Sequence, residues 1–305
     1  MIIDWPEYRR INNDIKELGK TAHSTPKIGE LLEFLTKMKG KRTRPVIALL
    51  SGRLSGGSHD DVMNFALAIE LIHAASLVHD DVIDRGTMRR NVETMNVRYG
   101  IPVAILMGDW LISKAVELVS IYDENVIRDF ARLGMTMVKG EVMDIHSIDE
   151  TASVEDYFEC IAAKTAEVFA YTAENACKIV SDDKAAARCL FEYGKNLGMA
   201  YQLVDDLLEF LEIYNDKKSE LESRTLPVIY EATYGFDGSV LKIMELIQKH
   251  VSISKKAIEC FEPCDSREKL HRMIDYMTTG MLRSYASKNK GLLKVLGSFY
   301  QVHTK

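Results

Sequence analysis

Two short acidic stretches hold the residues of this chain best suited to chemistry. The first, HDDVIDRGTMRR, contains Asp80, Asp81 and Asp84; the second, QLVDDLLEFLE, contains Asp205, Asp206 and Glu209. In a helix, a spacing of four puts Asp80 with Asp84, and Asp205 with Glu209, on one face. Carboxylates set side by side repel each other unless a cation lies between them. Hard oxygen ligands at the rim of an apolar core suit magnesium, which takes one or two protein carboxylates and completes its octahedron with water and phosphate oxygens. Arg89 and Arg90 follow the first cluster within two turns, and guanidinium groups grip phosphate through a bidentate fork. The implied chemistry is metal-assisted handling of a phosphate or diphosphate.

Such clusters act only if buried helices position them. The run ALAIELIHAASLV, just before the first cluster, is apolar around most of a helical circumference and free of breakers, which predicts a helix over 61 to 83 buried in a bundle. Apolar residues recurring at three- and four-residue steps predict further helices at about 5 to 19, 27 to 38, 45 to 54, 102 to 121, 125 to 147, 154 to 179 and 183 to 213. Ser153 with Asp156 resembles a helix-capping pair, and Asp182 precedes another periodic run. No segment shows strand alternation flanked by hairpin turns, and there is neither a Pro/Gly/Ser-rich linker nor a fixed-period repeat. The expectation is an all-α fold: one bundle of long, mostly antiparallel helices around a central cavity, with residues 1–305 as a single domain.

Composition narrows the partners. The net charge of −6, from 39 basic and 45 acidic residues, lacks the basic excess of a nucleic-acid binder. Five cysteines without CxxC spacing indicate neither a disulfide framework nor a zinc site, and reduced thiols in the cytoplasm are the simpler expectation. The N-terminal MIIDWPEYRRINNDIKEL does not read as a secretory signal. Apolar stretches are interrupted before about 18 residues, so no membrane span is expected.

With these motifs in this order, the sequence resembles the trans-prenyltransferases of the polyprenyl synthetase family. The family's first motif, DDxxD(x4)RR, is matched by DDVIDRGTMRR and its second by QLVDDLLE; GKRTRP at 40–45, His73, GDWL at 108–111, GEVMD at 140–144, KTAEVF at 164–169 and TLPVIYEA at 225–232 follow the family's order. The resemblance covers roughly residues 38–232. It implies that Asp80, Asp84 and Asp205 ligate magnesium, three ions with bound diphosphate, and that Asp81, Asp206 and Glu209 lie in or behind that shell, Asp206 and Glu209 among the metal-binding residues. It places Arg89, Lys164 and Gln202 on an allylic diphosphate, and Lys41, Arg44, His73 and Arg90 on isopentenyl diphosphate, with Thr165 beside Lys164 helping to stabilise an allylic cation. A further diphosphate-binding lysine is implied in NDKKSELESR, where Lys217 and Lys218 both stand and Lys218 is the candidate. Homodimerisation is implied by the resemblance alone.

The chain departs from the family pattern at Glu209, where a third aspartate is usual, at Lys39 and Asn91, where glycines are usual, and in a shorter loop after the second motif. Small residues one turn below Asp80, Ala75 and Ser76, with Ile72 beneath them, lead to the expectation of a product longer than farnesyl diphosphate, geranylgeranyl diphosphate or beyond. Two alternatives stand beside this: a class I terpene cyclase, although QLVDDLLEFLE lacks that family's hydroxyl position, and a non-catalytic regulatory subunit, although five of the six motif positions are aspartate.

Overall fold

Helices account for nearly all of the regular structure in the computed structural model, which describes residues 2–21, 26–37, 40–146, 153–214 and 224–288. They group into two compact units, Met1–Phe130 with Asn175–Asp182, and Ala131–Glu174 with Asp183–Lys305.

The first unit is organised by α4 (His59–Ile83), which follows α1 (Pro6–Thr21), α2 (Pro26–Lys37) and α3 (Thr43–Leu54). A reciprocal cap starts α4: Ser58 N donates to Asp61 Oδ2 at 2.7 Å, and Asp61 N donates back to Ser58 Oγ at 3.4 Å. Val62, Ala66, Ala68 and Ile69 are fully buried, and Phe65 is nearly so. Each large side chain buried in this way contributes about 1.5–3 kcal/mol, so the far end of α4 stands on a well-anchored rod. Both α3 and α6 (Ile101–Val119) pack along it. By length and composition α4 could cross a bilayer, which corrects the expectation that no window qualifies; 67% of its most apolar window is buried against protein, as in a core helix.

The end of α4 sets up the first acidic cluster. Asp84 caps the helix, Arg85 takes a left-handed conformation at φ 55°, and Gly86 N donates to Asp81 O at 2.9 Å. This is a Schellman closure with arginine in the usual glycine position. The chain then turns into a hairpin, β1 (Met88–Arg89) and β2 (Val92–Glu93), whose two turn residues Arg90 and Asn91 have φ of 52° and 63°. Two positive φ values define a type I′ turn, and asparagine tolerates that region better than most residues. Strands this short carry no alternation, so the expectation of no strand is corrected here. The unit continues through α5 (Met95–Tyr99), α6 and the start of α7 (Glu124–His146).

The second unit contains the rest of α7, α8 (Val154–Ile161), a π-helical turn (Ala162–Ala166), most of α9 (Glu167–Val180), α10 (Lys184–Tyr214), α11 (Leu226–Ala257), α12 (Asp265–Met277) and α13 (Thr279–Lys288). Ser153 and Asp156 form the expected capping box. The cap of α10 is Asp183 rather than Asp182: its Oδ1 accepts from Ala185 N at 2.8 Å and Ala186 N at 3.0 Å. Gly198 lets α10 lie against the π-helical turn, since a Cβ there would stand 2.5 Å from Ala166 Cα. A break at Gly235, with φ 68° and ψ 174°, divides α11.

Candidate active site

Within the first unit, the three aspartates of α4 divide by exposure. Asp84 is exposed and Asp80 half-buried, while Asp81 is buried. Asp81 Oδ1 accepts from Arg89 Nε at 2.8 Å, a contact the hairpin makes by folding β1 back over the helix end. Burial raises the Asp81 pKa, and the Arg89 hydrogen bond and charge partly oppose that. Asn96 Nδ2 donates to the carbonyls of Asp81 and Gly86, each at 3.1 Å, fixing the turn. Asp81 therefore holds Arg89 in place, and Asp80 and Asp84 are left as the outward carboxylates of the pair spaced by four.

A basic cluster occupies the same unit. Arg44 Nη1 lies 3.3 Å from His73 Nε2. Burial, followed by the charges of Arg44, Arg90, Arg42 and Arg89, keeps the His73 imidazole well below its usual pKa, so the ring is neutral and Nε2 accepts from the guanidinium. A Cβ on Gly40 would stand 3.0 Å from Arg90 Nη1. The fold thus gathers Arg44, His73 and Arg90 around the Gly40–Lys41 segment, and Lys41 is exposed there. Side chains from three separate stretches of the sequence converge into a site for a polyanion.

The second unit builds around α10. Asp205 is exposed, Glu209 on the same face is half-buried, and Asp206, turned about 100° around the helix from Asp205, is buried. Tyr157 Oη donates to Asp206 Oδ2, Gln202 Nε2 donates to Asp206 Oδ1 at 2.9 Å, and Thr165 Oγ1 donates to Gln202 Oε1 at 2.8 Å. Burial pushes the Asp206 pKa up to about 7; the Tyr157 and Gln202 hydrogen bonds oppose this, and the charges of Asp205 and Glu209 add to it. Each Asp206 oxygen accepts from a protein donor, so the carboxyl orients Gln202, while Asp205 and Glu209 are the more accessible carboxylates of the cluster.

Lys164 sits on the π-helical turn, a feature that often marks functional sites. Its Nζ lies 2.8 Å from Glu141 Oε2 and 2.5 Å from Asp144 Oδ2. Burial disfavours the ammonium, but the two carboxylates outweigh it and raise the pKa, so Lys164 carries its charge at any physiological pH. Gly140, one residue before Glu141, permits this contact: a Cβ there would stand 2.4 Å from Lys164 N. Glu141 and Asp144 belong to the GEVMD motif, in which the sequence alone marks no role for either carboxylate. Nothing in the sequence singles out Tyr157 or the π-helical turn. Lys217 and Lys218 lie outside the described residues.

Among the described residues no three Asp, Glu, His or Cys side chains form a ready-made metal cage. Carboxylate pairs such as Asp80 with Asp84 and Asp205 with Glu209 fit magnesium, which needs only one or two protein oxygens when phosphate and water supply the rest.

Comparison with known proteins gives the family. The polyprenyl synthetase family matches residues 25–262. The chain is 39% identical over 283 residues to a geranylfarnesyl diphosphate synthase of Methanosarcina mazei, covering 93% of this chain and 96% of that protein. It is 31% identical over 304 residues to a geranylgeranyl pyrophosphate synthase of Geoglobus acetivorans, covering 88% and 95%. Among solved structures, a geranyltranstransferase from Methanosarcina mazei superposes with a TM-score of 0.81 at 38% identity, covering 92% of this chain and all of that one.

Proposed function

Because this chain belongs to the polyprenyl synthetase family and is a prenyltransferase, we propose that it condenses isopentenyl diphosphate with an allylic diphosphate to give an all-trans product of geranylgeranyl length or longer. The observation that carries this is the basic cluster of Arg44, His73 and Arg90 in the same unit as Asp80 and Asp84. A terpene cyclase binds one diphosphate and has no use for a second cationic site, whereas a condensing enzyme must hold two.

In the reaction the allylic C–O bond breaks, the isopentenyl double bond supplies the electron pair of the new C–C bond, and a proton leaves the adjacent carbon. Were magnesium bound, Asp80 and Asp84 in the first unit, and Asp205 with Glu209 in the second, would be its ligands, and it would supply Lewis-acid stabilisation to the departing diphosphate. Lys164 and Arg89 add fixed positive charge, each locked in place by carboxylates. Thr165, donating its proton to Gln202, keeps oxygen lone pairs for a developing carbocation. No side chain is needed as base, since the released diphosphate takes the proton. A carbocation survives only where water is excluded.

Product length follows from the space below Asp80. Ala75 is buried and small, and Ser76 Oγ donates to His73 O at 3.0 Å, which folds its hydroxyl back onto its own helix. The relatives named for geranylfarnesyl and geranylgeranyl products support a long chain. The enzyme acts as a cytoplasmic homodimer in this proposal; the exposed stripe Ile101, Ile105, Ile112 and Val116 on α6 supports self-association.

Radiolabelled isopentenyl diphosphate offered with magnesium and each allylic primer in turn, followed by chromatography, tests the proposal. Incorporation into C20 or longer products is expected; absence of incorporation with every primer refutes it.

A further inference from the structure

Arg42 enters α3 with φ 51° and ψ 31°, in the left-handed region that L side chains rarely adopt. Its side chain makes no cap for α3. Instead Nη1 pairs with the Glu70 carboxylate and Nε donates to Asn12 Oδ1 at 3.3 Å. The pair is nearly sealed from solvent, with side-chain exposures of 10% for Arg42 and 7% for Glu70. On the other side of the segment, Tyr8 Oη donates to Gly40 O at 3.2 Å, and a Cβ on Gly40 would stand 3.1 Å from Arg42 Nη1. Glu70 and His73 are three residues apart on α4 and so share a face. One turn of that helix thus meets the segment twice, Glu70 at Arg42 and His73 at Arg44.

A buried ion pair contributes little net stability, because desolvating both charges cancels most of their attraction. What it does supply is a single geometry, since any other placement of the segment leaves a buried charge without its partner. The segment so held carries Lys41 and Arg44, and the helix holding it ends at Asp80 and Asp84. We propose that Glu70, acting through Arg42, is a positioning residue for the isopentenyl diphosphate: it fixes the Gly40–Arg44 backbone from which Lys41 and Arg44 extend. This role depends on the prenyltransferase function proposed above.

The test is steady-state kinetics of Glu70→Gln with each substrate varied separately. Glutamine keeps the shape and removes the charge. The KM for isopentenyl diphosphate is expected to rise by about tenfold or more, the loss typical of a hydrogen bond between charged groups, while the KM for the allylic substrate stays within about twofold. Two unchanged KM values, or two that rise together, overturn the assignment. A second variant, Glu70→Leu with Arg42→Met, replaces the pair by apolar side chains, a change that buried pairs often tolerate in stability, and it carries the test if Glu70→Gln does not fold. It should fold and retain the raised isopentenyl KM; a wild-type KM in the folded double variant shows that the pair serves stability alone. Wild-type turnover separates the two failures: its absence sinks the proposed function, whereas its presence with an unaltered variant KM sinks only the role of Glu70.

Discussion

Gly140→Ala should damage the enzyme although alanine is the better helix former. The added Cβ would stand 2.4 Å from Lys164 N, 2.7 Å from Lys164 Cα and 2.9 Å from Lys164 Cβ. Carbon contacts settle near 3.5 Å or more, so α7 and the π-helical turn must separate by about 1 Å. Overpacking of this kind costs about 1–3 kcal/mol, and the gain from removing a helical glycine returns only about 0.5–1 kcal/mol. The net loss of stability is about 1–2 kcal/mol. Activity should suffer more, because the same separation stretches both ion pairs that hold Lys164, and a displacement of about 1 Å at a reacting group can cost on the order of a hundredfold in rate. Gly19→Ala is the control: its Cβ would meet only Leu32 Cβ, at 4.0 Å, so the variant should be more stable by about 0.5–1 kcal/mol. Urea denaturation gives the stabilities and initial rates give kcat. If Gly140→Ala matches or exceeds wild type in both, the close approach of α7 to Lys164 is not what constrains this position.

Other perturbations follow from the same side chains. In metal-free protein, folded Asp206 keeps its proton up to about pH 7, whereas the unfolded group loses it near pH 4. The folded state therefore binds more protons across that window, and stability falls as pH rises through it, by at most on the order of 4 kcal/mol. Asp206→Asn should flatten the dependence; identical slopes for variant and wild type in urea titrations with chelator, from pH 4 to 8, would count against the buried carboxyl as its origin. Tyr157→Phe should cost about 1.5–3 kcal/mol at pH 8, where Asp206 is charged, and less at pH 5, where it is neutral; an equal loss at both values contradicts this. Ala75→Phe should shorten the product, read by chromatography, and an unchanged chain length removes Ala75 from the determinants.

What the sequence determined by itself was local. Helical periodicity, capping signals and the spacing of carboxylates act within a few turns, so α4, α10 and the faces carrying Asp80 with Asp84 and Asp205 with Glu209 were legible along with the chemistry they suit. Motif order then indicated the family. Only the tertiary structure decided which carboxylates turn inward. Asp81 and Asp206 look like their neighbours in sequence, but one is taken by Arg89 across a hairpin too short to show a strand pattern, and the other by Tyr157, 49 residues away. Likewise the partners of Lys164 and of Arg42 are set by where helices approach one another. The cost of burying a charge falls on whichever residues the packing brings together, and spacing along the chain does not encode that.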